Sequence, residues 1–222
     1  MKTSKIIIIS FFIFIIGAML ILFIEAKKHK KEMFKNLNNK EIALPPFSVI
    51  VADEGTNFHI VQSNSNKFTF ELKKNENMSH LKFVIKNDTL FLTGKAVKTT
   101  VNCKNIKSII TNKRSWVVIE KISSDSLQIN ARGGELFIEL PEENLSKMAK
   151  LRITSSNHAS VRITNLLINN LSINSDNSEV KVYCAINSLQ CRLSNNSKLF
   201  SQHNPNVLNM ERDSSSGITM YP

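Results

Sequence analysis

One short phrase recurs in the last third of this chain and limits what the chain can fold into. It reads Asn157-His-Ala-Ser-Val161, then Asp176-Asn-Ser-Glu-Val180, then Asn195-Asn-Ser-Lys-Leu199, then Asp213-Ser-Ser-Ser-Gly-Ile218. The first large apolar residue after each polar cluster stands at 161, 180, 199 and 218, a constant step of 19 residues. A fixed step of that length marks stacked supersecondary units, because one unit cannot bury its own apolar face and needs its neighbour's.

Each unit reads as strand, polar turn, strand. Leu151 and Ile153 are followed by Val161 and Ile163, and Leu171 and Ile173 by Val180 and Val182. Alternation puts these residues on one face and Arg152, Arg162, Ser172 and Lys181 on the other. Looser copies lie upstream in Lys113-Arg-Ser-Trp116-Val-Val-Ile119 and Arg132-Gly-Gly-Glu-Leu136-Phe-Ile138. The step from 136 to 161 is 25, and the extra residues fall in Pro141 to Lys147, as one helical turn or a loop. Coils stacked in parallel give a β-solenoid, whereas antiparallel pairing gives a long meander or sandwich. The constant step favours the solenoid, with Asn157, Asp176, Asn177, Asn195 and Asn196 lining one edge.

The stretch before the repeat is also β-rich. Phe47–Val51, Phe58–Gln62, Phe68–Leu72, Leu81–Ile85 and Leu90–Thr93 are short β-branched and aromatic runs separated by turn-forming clusters such as Asp53-Glu-Gly55-Thr-Asn57 and Lys86-Asn87-Asp88. The expected class is therefore all-β, a β-solenoid head of stacked short strands spanning 47–222.

A different element precedes it. Ile6 to Ile24 is apolar apart from Ser10, and fifteen of its nineteen residues are Ile, Leu or Phe. As a helix it spans about 28 Å, close to the hydrocarbon thickness of a bilayer. Those fifteen side chains favour insertion by about 5 to 9 kcal/mol. The segment is longer than a secretory apolar region and leaves through Ile24-Glu25-Ala26, without a small-x-small cleavage site. It reads as an uncleaved transmembrane anchor over 6–24, after a short tail of 1–5 and before a basic juxtamembrane stalk of 25–46 that ends at Pro45-Pro46.

The formal charge of +11 is largely juxtamembrane: residues 1–40 hold eight Lys and two Glu, a net of +6, leaving +5 over the rest. Lysines of the stalk suit headgroup contact. By local charge alone they would hold the domain in the cytosol; the short N-terminal tail, and the tendency of large domains to translocate regardless of charge, favour export. With one tryptophan, Trp116, and four of thirteen phenylalanines inside the anchor, the head lacks a platform for stacking bases. Nucleic acid is not an expected partner.

No His-Glu-x-x-His, Cys-x-x-Cys, Gly-x-Ser-x-Gly or phosphate-binding glycine loop occurs. Cys103, Cys184 and Cys191 are too few for a disulfide framework or zinc site. Cys184 and Cys191 share the parity of apolar neighbours and read as small core residues; neighbouring coils would allow a bridge between them, but nothing requires one. Five histidines, at 29, 59, 80, 158 and 203, are scattered. His158 and His203 lie in or near polar turns, where Asp176 and Asp213 also sit. Paired carboxylates at a suitable separation on such an edge can hydrolyse glycosidic bonds, although isolated turn residues are ordinarily solvated ones.

The opening Phe47-Ser-Val-Ile-Val51 with Phe58-His-Ile-Val-Gln62, the phrase Lys86-Asn-Asp-Thr-Leu-Phe-Leu92, and the repeated Leu-x-Ile, Asn/Ser cluster, Val-x-Val coils resemble the DUF2807 family, the "putative auto-transporter adhesin head GIN domain" of Bacteroidetes envelope proteins. The resemblance covers roughly residues 45–222 and rests on periodicity. Where that family commonly carries Ser-Gly in its turns, only Ser216-Gly217 matches; asparagine, which tolerates left-handed backbone, substitutes elsewhere. It implies an exported, all-β surface domain with no catalytic, metal or cofactor residues to carry over. Asp88-Thr-Leu90 and Asp125-Ser-Leu127 are similar to the O-glycosylation sequence of that bacterial group, and equally to ordinary strand-opening turns.

The function expected is that of a non-enzymatic, membrane-anchored cell-envelope protein, adhesin-like or structural, using no cofactor. Its partners would be the membrane, through the helix, and an envelope polymer or protein. The alternative is a carbohydrate-active β-helix protein using edge carboxylates.

Overall fold

A computed structural model of the chain describes residues 15–25, 27–28, 37–73, 81–94, 98–141 and 145–221. The chain divides into two compact units, one of Met1–Asn38 with Lys73–Glu76, the other of Asn39–Leu72 with Asn77–Pro222. In the first, residues 15–25 form helix α1. Its Ile16, Met19, Leu20, Ile21, Leu22, Phe23 and Ile24 are all exposed, so the helix is apolar around its whole circumference. Among the described residues no helix is long and apolar enough to cross a membrane. Residues 6–14 of the expected anchor, and residues 26 and 29–36 of the expected stalk, lie outside the described residues.

The second unit is built from two sheets. The ten-stranded sheet runs, in spatial order, β1 (Leu37–Ala43), β4 (Lys67–Lys73), β7 (Lys98–Cys103), β3 (Asn57–Gln62), β9 (Trp116–Lys121), β11 (Glu135–Glu139), β13 (Ser160–Thr164), β15 (Glu179–Tyr183), β17 (Lys198–Ser201) and β19 (Gly217–Met220). The nine-stranded sheet runs β18 (Val207–Arg212), β16 (Ile186–Ser194), β14 (Leu166–Asp176), β12 (Ser146–Ser156), β10 (Ser126–Arg132), β8 (Ser108–Thr111), β2 (Val49–Ala52), β6 (Thr89–Gly94) and β5 (Leu81–Lys86). From β8 onward successive strands alternate between the sheets, and each pairs in parallel with the strand two places on. The pairing rules out the meander.

Register follows from the apolar pattern, because a one-residue slip would turn every inward side chain to solvent. In one sheet Phe58, Val117, Leu136, Val161, Val180, Leu199 and Ile218 stand in line across seven strands. In the other, Leu90, Ile50, Ile109, Ile129, Ile153, Ile173, Cys191 and Met210 do the same. Every member of these two ladders is buried except the last of each. At roughly 1.5 to 3 kcal/mol for each large apolar side chain removed from water, the ladders are the main source of cohesion between coils.

The step of 19 holds throughout the C-terminal part of the ten-stranded sheet, from Val161 to Val180, Leu199 and Ile218. The other sheet varies: Leu151 meets Leu171, twenty residues on, and Leu171 meets Leu189, eighteen on. Of the insertion at 141–147, Ser146 and Lys147 open β12, and residues 142–144 lie outside the described residues.

Two expectations need correction. Residues Leu37–Ala43, assigned to the stalk, form β1 at the edge of the ten-stranded sheet. Its neighbour β4 offers an unpaired backbone edge, Ile42 packs on the core, and Lys67 Nζ reaches Glu41 at 3.1 Å. The N-terminal end of the stack is not purely parallel, since β4 runs antiparallel to β7 and β5 to β6. There Phe68 lies 5.4 Å from Phe70 and 5.1 Å from Phe83 between ring centroids, closing that end with aromatic bulk. Cys184 and Cys191 are small core residues with no bridge between them, as their parity in the sequence indicates. All three cysteines are free and buried, and burial pushes the Cys103 and Cys184 thiols up to about 12 and Cys191 up to about 11.

Candidate functional site

Two regions compete for function, the turn edge singled out by the repeat and a groove on the nine-stranded sheet. At the turn edge the chain passes from one sheet to the other through tight turns. In four of them a backbone N–H returns to the carbonyl three residues earlier at 3.2 Å: Thr56 to Asp53, Ser115 to Asn112, Ala159 to Ser156 and Ser197 to Ser194. The turn requires left-handed backbone, and Asn157, His158, Asn177, Asn195 and Asn196 all take φ between 49° and 64°. The same positions hydrogen-bond from coil to coil. His158 N–H donates to the Asn177 carbonyl at 2.7 Å, and Asn177 N–H to that of Ser194 at 3.1 Å.

This geometry assigns the turn carboxylates structural work. Asp213 Oδ2 accepts the Asn195 backbone N–H at 2.7 Å, while its Oδ1 accepts from Ser215 N, Ser215 Oγ and Ser216 N at 3.1, 2.9 and 2.9 Å. The Asn195 N–H, with the Ser216 and Ser215 donors, holds the Asp213 carboxyl down to about 2. A glycosidic general acid needs the opposite shift, upward, so that it still carries its proton near neutrality. Asp176 Oδ1 accepts from Asn195 Nδ2 at 2.5 Å and from Ser194 Oγ at 3.1 Å. Asn195 therefore ties both carboxylates into the stack. His158 Nε2 lies 3.3 Å from Asn177 Nδ2, and His203 contributes its backbone carbonyl to Ser201 Oγ at 2.7 Å. Neither ring approaches a carboxylate among the contacts described. Among the described residues no three His, Cys, Asp or Glu side chains converge as a metal site. His29 and His80 lie outside them.

The groove arises where alternation breaks. Within β12, β14 and β16 the inward residues Met148 and Leu151, Ile168 and Leu171, and Ile186 and Leu189 are three apart rather than two. Between each pair two residues face outward: Ala149-Lys150, Asn169-Asn170 and Asn187-Ser188. The cross-strand register skips Ala149, Asn169 and Asn187. The register offset is the same on either side of each skipped position, so three adjacent strands break their alternation together, one residue against one, without a bulge.

The hollow they leave has a volume of about 500 Å³. Its accessible apolar floor is Leu167 with Ala149 and Ala185, over the buried Met148, Ile168 and Ile186. Its rim is an amide ladder: Asn206 Nδ2 donates to Asn187 Oδ1 at 2.8 Å, and Asn187 Nδ2 to Asn169 Oδ1 at 2.9 Å. Asn170 Nδ2 donates to the Ala149 carbonyl that the broken pairing frees, at 3.3 Å. Asp125 and Lys147 are the charged side chains at the wall. An apolar floor with a regular amide rim suits an elongated ligand carrying apolar faces and hydroxyls, and one carboxylate beside one lysine is not a hydrolytic pair. Sequence reasoning missed this site, although the doubled outward positions 149–150, 169–170 and 187–188 were the visible signal.

The outer face of the ten-stranded sheet carries a separate stripe. Trp116 sits edge-on to His59 at 5.5 Å and 5.7 Å from Phe137; Arg162 lies over Phe137 and Lys181 over Phe200, at 5.5 and 5.7 Å. His59 Nδ1 meets Glu120 at 2.6 Å and Lys181 meets Glu179 at 2.7 Å.

No family model matches the chain, and no curated protein matches it. Solved structures do. A "putative lipid binding protein" from Parabacteroides distasonis is similar over 84% of this chain and 97% of its own, with a TM-score of 0.60 and 14% identity. A "putative adhesin" from Bacteroides fragilis is similar over the same shares at TM-score 0.59 and 13% identity. Another from Parabacteroides merdae reaches 0.58 at 14% identity, again over 84% and 97%. At these identities the likeness is one of fold: the chain shares an all-β fold with proteins of Bacteroidetes named as adhesins or lipid binders.

Proposed function

We propose that this chain is a single-pass, membrane-anchored cell-envelope protein whose exported β-solenoid head is a non-enzymatic, adhesin-like binding domain. The observation that carries the reading is the groove where β12, β14 and β16 break their alternation together. It combines an apolar floor with an amide rim repeated at the strand spacing of about 4.8 Å. That arrangement fits a surface polymer, with sugar faces on Leu167, Ala149 and Ala185 and hydroxyls on the amides. The downward shift of Asp213 and its full set of donors support a binding role for the domain over a hydrolytic one. The names of the structural neighbours point the same way. The anchor reading is supported by seven exposed apolar side chains around α1.

The test is a carbohydrate array probed with the full chain in detergent, alongside Ala149→Trp, which fills the groove from an exposed position. Retention of a polysaccharide by the parent and not by the variant is the expected result; equal retention by both would move the site elsewhere. A reporter active only after export, fused beyond Pro222, tests topology, and a silent but stable fusion contradicts an exported head.

A further inference from the structure

The outer face of the ten-stranded sheet holds one cation that the chain itself does not satisfy. Of the six arginines, Arg162 is half-buried and the other five are exposed. Arg114 and Arg192 pair with Glu54 and Glu211, and Arg212 donates to the Ser216 carbonyl. Among the described residues no carboxylate lies within ion-pair distance of Arg162, and its Nε is buried without a hydrogen-bond partner. The two other buried orphans, Thr99 Oγ1 and Ser216 Oγ, are uncharged hydroxyls. Buried polar atoms are nearly always paired, so a charged exception points to a partner from outside the chain.

What holds Arg162 in place is a ring. It lies over Phe137 at 5.5 Å, and Phe137 is itself 5.7 Å from Trp116. A ring attracts the cation without taking up its N–H donors, so the guanidinium fork is positioned but uncommitted. Register sets its neighbours: Phe137, Arg162, Lys181 and Phe200 stand opposite one another on β11, β13, β15 and β17. Two cations therefore sit side by side at the strand spacing of about 4.8 Å, with an aromatic residue on either flank. Like charges directly opposite destabilise a sheet unless they are compensated. Glu179 compensates Lys181 at 2.7 Å; Glu135 and Glu139 of β11 are exposed, and neither pairs with Arg162.

We infer that Arg162, with Lys181 beside it, binds the carboxylate of an acidic polysaccharide, a uronate-bearing chain that runs across the strands of this face. The guanidinium fork matches two carboxylate oxygens, and the Lys181 ammonium stands one strand away. Trp116 and Phe137 on one side and Phe200 on the other offer flat apolar surface to the sugar rings. Glu135, Glu139 and Glu179 border the two cations, so a densely charged chain, such as a sulfated polymer or a nucleic acid, meets repulsion that one carboxylate per sugar avoids. The site belongs to the other sheet from the groove and stands independently of it.

Trp116 is the only tryptophan and reports on this face. Full-length protein in non-ionic detergent would be titrated with polygalacturonate, and with the same polymer methyl-esterified, while tryptophan fluorescence is followed. A saturable change with the acid and none with the ester is the expected result. Arg162→Gln should weaken binding about tenfold or more, the scale of one lost hydrogen-bonded charge, and Arg162→Lys should weaken it less, since it keeps the charge without the fork. Arg152→Gln, an equal loss of charge on the exposed face of the other sheet, should change nothing. Far-ultraviolet dichroism checks that each variant is folded; if Arg162→Gln is not, the ester and Arg162→Lys decide. The inference is overturned by a silent titration, by an equal response to the ester, by parent-like affinity in a folded Arg162 variant, or by an equal loss in Arg152→Gln. Tighter binding of dextran sulfate or single-stranded DNA overturns it as well.

Discussion

Gly134 offers a sharp perturbation of the coil turn. Its φ is +76°, and a Cβ built on it would lie 2.5 Å from the Ser115 carbonyl oxygen, 2.6 Å from Ser115 Oγ and 2.8 Å from the Asn112 carbonyl oxygen. The two carbonyls are backbone of the preceding coil, held by the turn bond from Ser115 N–H to Asn112 and by Glu135 N–H to Ser115 at 2.8 Å. A methyl group therefore cannot be accommodated by a rotamer change. Gly134→Ala should cost about 1 to 2 kcal/mol for the left-handed backbone, plus about 1 to 3 for prying two coils apart. Gly217, which stands in register with Glu135 near the end of the stack, has ordinary φ and nothing within 4 Å of its would-be Cβ. There Ala should be neutral or stabilise by up to about 1 kcal/mol, by restricting the unfolded chain. Urea unfolding of the full chain in detergent, followed by far-ultraviolet dichroism, measures both. Equal shifts for the two variants, or a neutral Gly134→Ala, would refute the close approach of coils at this turn.

Other consequences follow from the titrating groups. Asp213, depressed from 3.8 to about 2, contributes stability that is fully present above its unfolded pKa and is lost as pH falls through that window. Asp213→Asn should therefore flatten the pH dependence of unfolding between about pH 4 and pH 2, measured as denaturation midpoints; an unchanged profile would mean the carboxylate is not held as described. The buried thiols, raised to about 11 to 12, should resist an aromatic disulfide reagent at pH 8 in the folded protein and react fully in denaturant. Rapid native labelling would show that Cys103, Cys184 and Cys191 are not in the core.

Much of the fold was legible because it is local and periodic. The step from Val161 to Ile218 and the alternation around it placed β13, β15, β17 and β19, and the Asn-rich clusters named the turns that need left-handed backbone. What escaped was long-range. Phe58 belongs to the same ladder as Val117, but β4 to β8 intervene and hide the repeat. Strand β1 depends on the free edge of β4 rather than on its own polar sequence, and so read as stalk. The turn acids attracted attention as candidate chemistry because sequence shows a carboxylate and not its donors; Asn195, which bonds to both Asp176 and Asp213, explains them structurally. The groove was hidden for the converse reason. It is made by residues that break the pattern, and Asn169, Asn187 and Asn206 are unremarkable until the register aligns them.

The central claim, that the groove and not the turn edge receives the ligand, is tested most directly by amide hydrogen exchange. The full chain in detergent would be compared with and without the polysaccharide that it retains. The account predicts slowed exchange at 147–149, 167–169 and 185–187, the three segments that line the groove, with the ligand recovered at its original length. Protection centred instead on the turns at 157–158, 176–177 and 195–196, or recovery of shortened ligand, would contradict it.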